Sequence, residues 1–146
     1  MTWYAVKGNP RWDADELWTT MGHLYKGGMW FKKKSVLQAE NHYDTEKSAD
    51  NTTDLRTTWK AYYTSGSITA SGLPSASDAG NYFYLPALGM YYSGQLYYIG
   101  SRGIYWSSSA APGYSNNACN LYFTSGGVVM NVSNSYFGYR VEPTFE

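Results

Sequence analysis

A single cysteine, Cys119, occurs in 146 residues. That excludes an internal disulfide, a cysteine-based zinc site and any mechanism that needs a cysteine pair. The two histidines, His23 and His42, sit in no recognisable catalytic pattern, so the sequence offers no evident base, nucleophile and orienting group for an enzyme. Excess charge is lacking too. Eleven Lys and Arg balance eleven Asp and Glu, so there is no net field to hold nucleic acid or an anionic bilayer, and Lys32-Lys33-Lys34 alone makes no basic face. No apolar run approaches the roughly 18–20 residues of a membrane span, and Met1-Thr2-Trp3-Tyr4 lacks the basic start and apolar stretch of a signal peptide. The expectation is a soluble chain without a nucleic-acid partner or direct membrane insertion.

The most informative absence is local. Residues 1–78 hold 18 of the 22 charged side chains, and from Gly103 to Tyr139 there is no Asp, Glu, Lys, Arg, His or Gln. About nine charges would be expected in a stretch of that length at average composition. The segment is instead full of Ser, Asn, Gly and Tyr, which a core would have to satisfy with hydrogen bonds. It reads as partly exposed surface that is polar without being charged.

What is present is 43% hydrophobic residues, enough for one core and one domain over 1–146, with 16 Tyr, 6 Trp and 15 Gly. In the first half, the acids of Asp13-Ala14-Asp15-Glu16 followed by Leu17, Trp18 and Met21 predict a helix near Asp13–Met21 closed by Gly22. Trp3–Val6 before Gly8 is too short to classify, the end of a helix begun upstream being one reading; Asn41–Asn51 reads as a loop, Thr57–Tyr63 as a turn or two of helix and Thr64–Gly80 as a loop. The second half predicts strands. These are Tyr82–Pro86, a hairpin of Gly89–Tyr92 with Gln95–Tyr98 across Ser93-Gly94, and Ile104–Ser107. A second hairpin joins Asn120–Thr124 to Gly127–Asn131 across Ser125-Gly126. Two-residue register pairs Thr124 with Gly127, Phe123 with Val128, Tyr122 with Val129, Leu121 with Met130 and Asn120 with Asn131. The period of two then sends Leu121, Phe123, Val128 and Met130 to the core, and Asn120, Tyr122, Thr124, Gly127, Val129 and Asn131 to the other side, a candidate contact surface.

The blocks Tyr84-Leu85-Pro86-Ala87-Leu88-Gly89, Gly103-Ile104-Tyr105-Trp106-Ser107-Ser108-Ser109, Asn120-Leu121-Tyr122-Phe123 and Gly138-Tyr139-Arg140-Val141 resemble the C-type-lectin-like domains of the Fibrobacter major paralogous domain group. They also resemble variable proteins diversified by retroelements, such as the phage major tropism determinant. The resemblance covers about Tyr82–Val141. It implies a compact α+β fold of C-type-lectin type, with helices in the N-terminal half and a small, mostly antiparallel sheet with hairpins in the C-terminal half. It also implies that the chain is the C-terminal part of a larger protein on a cell surface or virion, and that the fold's first strand precedes Met1. In diversified members adenines of Asn codons mutate, and Lys, Glu, Gln, Trp and Met are not reached. By that resemblance 103–139 is a variable region, with Trp106 and Met130 as framework. The diversified ligand-binding positions are then Ile104, Tyr114, Cys119, Tyr122, Thr124, Gly127, Val129, Val132, Ser133, Ser135 and Phe137, with Asn116, Asn117, Asn120 and Asn131 as unmutated ones.

Tyr and Asn on a rigid β scaffold give stiff contact area and adaptable hydrogen bonds, as in antibody loops. The expected activity is non-enzymatic binding of a protein or glycan on a target surface, without a cofactor or metal, and with oligomers open. One alternative is a structural or adhesion domain of fixed specificity. Another is an enzyme of the formylglycine-generating type, which a lone cysteine at a position expected to vary does not support. The lectin calcium signatures are absent, and Asp44, Glu46, Asp50 and Asp54 form an acidic loop without EF-hand order, read as solvated.

Overall fold

A computed structural model describes residues 2–44, 46–65, 68 and 72–141, with the backbone alone for 62–65 and 110. In chain order the elements are α1 (Thr2–Lys7), β1 (Arg11–Thr20), β2 (His23–Lys32), α2 (Lys34–Ala39), β3 (Tyr62–Ser65), a 3₁₀ turn at Ala79–Asn81, β4 (Tyr82–Pro86), β5 (Met90–Tyr92), β6 (Gln95–Tyr97), β7 (Gly103–Ala110), β8 (Asn117–Thr124) and β9 (Gly127–Asn134). They form a three-stranded sheet β1-β2-β4, a four-stranded sheet β3-β9-β8-β7 and the hairpin β5-β6, all antiparallel.

This corrects the α+β, C-type-lectin-like expectation of an N-terminal half built from helices. The described residues are mostly β, and the two α-helices among them have six residues each. The helix expected near Asp13–Met21 is β1. The Asp13 side chain is buried and its Oδ1 accepts the backbone N–H groups of Asp15 and Glu16 at 3.0 and 3.1 Å. The pairing with β2 shifts between Asp13 and Leu17. The acids that resemble a first helical turn therefore occupy a bulge in a strand. Beyond it Leu17–Thr20 pairs with His23–Lys26 around Met21-Gly22, whose φ angles of 49° and 76° are those of a primed hairpin turn. Gly22 closes a hairpin, not a helix, and Leu17 and Met21 are exposed.

The turn of helix expected over Thr57–Tyr63 is also absent. Residues 58–61 are irregular, and Tyr62 begins β3, which pairs with β9. The Thr64–Gly80 loop lies partly outside the described residues; Thr64 and Ser65 belong to β3. By contrast, the strand at Tyr82–Pro86 and both C-terminal hairpins form as expected, and Trp3–Val6, too short to classify from the sequence, lies in α1.

The core lies between the two larger sheets and α1. Met29 and Phe31 of β2, Leu85 of β4, and Leu121, Phe123, Val128 and Met130 of the β8–β9 hairpin are buried together with Trp3, Tyr4 and Ala5 of α1. Phe31 meets Phe123 edge-on at 5.8 Å, and Tyr105 stacks on Phe123 at 6.0 Å. Burying each such Leu or Phe stabilises the fold by roughly 1.5–3 kcal/mol relative to exposure. This packing fixes which side of β8–β9 faces inward and leaves the other side to the site described next. No helix among the described residues is long and apolar enough to cross a membrane.

Candidate functional site

The β8–β9 register matches the pairing expected from the sequence at all five positions from Asn120↔Asn131 to Thr124↔Gly127. Leu121, Phe123, Val128 and Met130 are buried, whereas Tyr122, Thr124, Gly127 and Val129 are half-buried and Asn131 is exposed. At the turn, Thr124 Oγ1 accepts the Gly126 N–H at 3.1 Å. Asn131 Oδ1 accepts the Val132 N–H at 2.8 Å. A strand of this length runs roughly 24 Å, so the outer side of the hairpin is a strip whose far end holds a second group of expected positions. There Tyr114 and Asn116 are exposed in the β7–β8 connection, and Asn117 pairs with Asn134. The Ser135 N–H donates to Asn116 O at 3.1 Å. Tyr114 and Asn117 also line a shallow hollow of about 530 Å³.

Three expected positions lie out of a ligand's reach. Cys119 is 4% exposed and shares the inward parity of Leu121, and burial pushes its thiol up to about 11, which leaves it unreactive. Ile104 lies opposite Tyr122 on the outer side but is buried where residues 138–140 run beside β7; Arg140 N–H donates to Ile104 O at 3.3 Å and Trp106 N–H to Arg140 O at 2.8 Å. Asn120, between Trp106 and Asn131, is 1% exposed and donates from Nδ2 to Ser133 Oγ at 2.9 Å. Satisfied in this way, its amide serves the sheet. Val132 and Ser133 are half-buried, and Ser135 is exposed.

Phe137 belongs to an aromatic row that sequence reasoning only partly found. Trp106, expected as framework, packs on Tyr139 at 4.5 Å, Tyr139 stacks on Phe137 at 5.6 Å, and Phe137 meets Tyr92 at 5.4 Å and Tyr136 at 4.8 Å. Tyr136 is 70% exposed. The signal for Tyr136 was its place in the uncharged segment. Tyr92 and Tyr139 join the row because residues 138–140 bridge β7 to β5: Tyr91 and Gly138 exchange backbone hydrogen bonds of 2.8 and 3.0 Å, and a Cβ on Gly138 would stand 2.6 Å from Tyr91 O.

The strip and row carry phenol, indole, amide and hydroxyl groups and no charge. They can accept flat or hydrogen-bonding partners without desolvating an ion. His23 is exposed at the β1–β2 tip beside Tyr25, and His42 lies 3.5 Å from Glu40. Among the described residues no three His, Cys, Asp or Glu side chains are placed to hold a metal ion. In the acidic loop Asp44 accepts the N–H groups of Glu46 and Lys47, Asp50 pairs with Lys60 and Ser48, and Arg56 bridges Asp54 and Glu46 at 2.7 and 2.9 Å. Hydrogen bonds from Arg56 hold the Asp54 carboxyl down at about 2. No family model, no curated protein and no solved structure matches the chain.

Proposed function

We propose that the chain is a non-enzymatic ligand-binding module displayed on a bacterial or phage surface. Its contact face is the outer side of the β8–β9 hairpin with the adjoining aromatic row, and it is varied by retroelement mutagenesis. The observation that carries this reading is the difference between the hairpin's two sides. Leu121, Phe123, Val128 and Met130 are buried, while Tyr122, Thr124, Gly127, Val129 and Asn131 present uncharged surface. Display and diversification rest on the resemblance of the blocks at 84–89, 103–109 and 138–141 to retroelement-diversified variable proteins. The ligand class is a protein or glycan on a target surface, which Tyr and Asn contacts suit.

The test is a glycan and protein array probed with the wild-type chain and a Tyr122→Ala, Val129→Ser variant. Loss of a wild-type signal in a folded variant supports the face, and equal binding moves it elsewhere. Diversification is tested on the DNA: it requires a noncoding repeat that differs from the 3′ end of the gene almost only at adenines, beside a reverse-transcriptase gene. Without that repeat, a fixed-specificity adhesion or structural domain is the better reading.

A further inference from the structure

A second site adjoins the aromatic row and shares Tyr139 with it, where the β1–β2 hairpin tip, the β5–β6 hairpin and residues 138–140 converge around a cavity of about 310 Å³. That volume falls at the lower end of small-molecule pockets, which span roughly 300–1,000 Å³. Its walls include Met21, Leu88, Met90, Leu96 and Tyr139, and among the described residues its one ionic side chain is Arg140. Close backbone contacts pre-form the floor: Gly89, at φ 68°, packs against the Tyr97 carbonyl, and Gly138 packs against Tyr91. Preorganisation of this kind lowers the cost of binding.

Arg140 differs from the other three arginines of the chain. Arg11 donates to the carbonyls of Gly72 and Leu73, Arg56 bridges Asp54 and Glu46, and Arg102 lies over the Tyr98 ring at 3.7 Å. The Arg140 backbone is held by Ile104 and Trp106, so the origin of its side chain is fixed. Its guanidinium has no hydrogen-bond or ion-pair partner among the described residues. A guanidinium is a fork suited to a carboxylate. A dianion would leave charge unmatched beside Leu and Met, because no second cation among the described residues lines the cavity.

We infer that this cavity binds a small amphipathic monocarboxylate, with the alkyl or aryl part among Leu88, Met90 and Leu96 and the carboxylate on Arg140. The inference goes beyond the contact face, since Leu88 and Arg140 lie outside the residues expected to vary.

The test titrates the full chain with octanoate, 1-octanol and octylamine by calorimetry and by amide NMR, in wild type, Arg140→Gln, Leu96→Trp and Tyr122→Ala. Octanoate is expected to bind tightest and to shift amides of 88–96 and 138–140. Arg140→Gln, an exposed substitution that leaves the fold intact, weakens octanoate by about tenfold or more and leaves octanol unchanged, as loss of a charge-assisted pair requires. Leu96→Trp fills the cavity and weakens both; if it does not fold, Arg140→Gln decides. Tyr122→Ala leaves octanoate binding intact even if it abolishes array binding, so the two proposals fail separately. Octanoate binding unchanged in Arg140→Gln, octanol equal to octanoate in wild type, shifts mapping elsewhere, or no saturable octanoate binding would each overturn the assignment.

Discussion

Gly103 on β7 lies directly across from Phe123 on β8, and the phenyl ring occupies the space in which a side chain at 103 would begin. The close approach lets Phe123 reach both Tyr105 and Phe31. Gly103→Ala is expected to lower stability by about 1–3 kcal/mol through overpacking, measured by urea unfolding. Trimming the opposing ring with Phe123→Leu in that background should recover part of the loss. Simple additivity of the two substitutions would show that the ring is not what the new methyl meets.

The two sides of the β8–β9 hairpin should respond differently to truncation. Leu121→Ala opens a cavity in the core and is expected to cost about 2–5 kcal/mol. Its neighbour Tyr122, half-buried on the outer side, is expected to cost about 1 kcal/mol or less on replacement by Ala. Denaturant midpoints at unchanged slope read both, and equal losses would contradict the sidedness on which the contact face depends.

Asp13 makes stability depend on pH. Burial alone would raise its carboxyl, but hydrogen bonds from the Asp15 N–H, the Trp30 indole at 3.1 Å and the Glu16 N–H outweigh burial and hold it below the usual carboxylate value of 3.8. A carboxyl depressed in the folded state contributes stability that is present above the unfolded value and is lost as pH falls through the folded one. Thermal unfolding from pH 7 downward should therefore show a loss beginning near pH 4 that is shallower in Asp13→Asn. The same slope in both proteins would assign the acid sensitivity to the exposed carboxylates of residues 44–54. At pH 7 Asp13→Ala leaves the indole and two backbone N–H groups without their acceptor and is expected to cost about 1–3 kcal/mol.

Cys119 should report on unfolding. With the thiol at about 11 and the side chain in the core, alkylation by iodoacetamide at pH 8 is expected to be slow in the native protein and to accelerate with urea in step with global unfolding. Rapid native labelling would place the thiol at the surface, where the variable-position reading had it.

The second half was legible because its pairings are local. Ser93-Gly94, at φ 49° and 81°, and Ser125-Gly126 each join strands across two residues, so pairing and face follow from counting. Carried two residues back from Leu121, the same count puts Cys119 on the inward side, where it is buried; the pairing counted from the sequence stops at Asn120, and the resemblance makes Cys119 a varied position. Asp13–Met21 misled because its acids and apolar residues satisfy a helical template. The arrangement that won is non-local: Asp13 reaches Trp30 on β2, and β2 also pairs with Tyr82–Pro86, fifty or more positions later.

By itself the chain determined its tight turns, the two hairpins built on them and the absence of charge along one surface, because each depends on neighbours a few residues apart. Only the tertiary structure decided that Arg11–Thr20 is a strand, that Ile104 and Asn120 are covered, and that Tyr92, Phe137, Tyr139 and Trp106 make one row beside a cavity that Arg140 helps to line. Those outcomes depend on burial against segments remote in sequence, where the free energy of packing outweighs local preference and no short-range pattern records the partner.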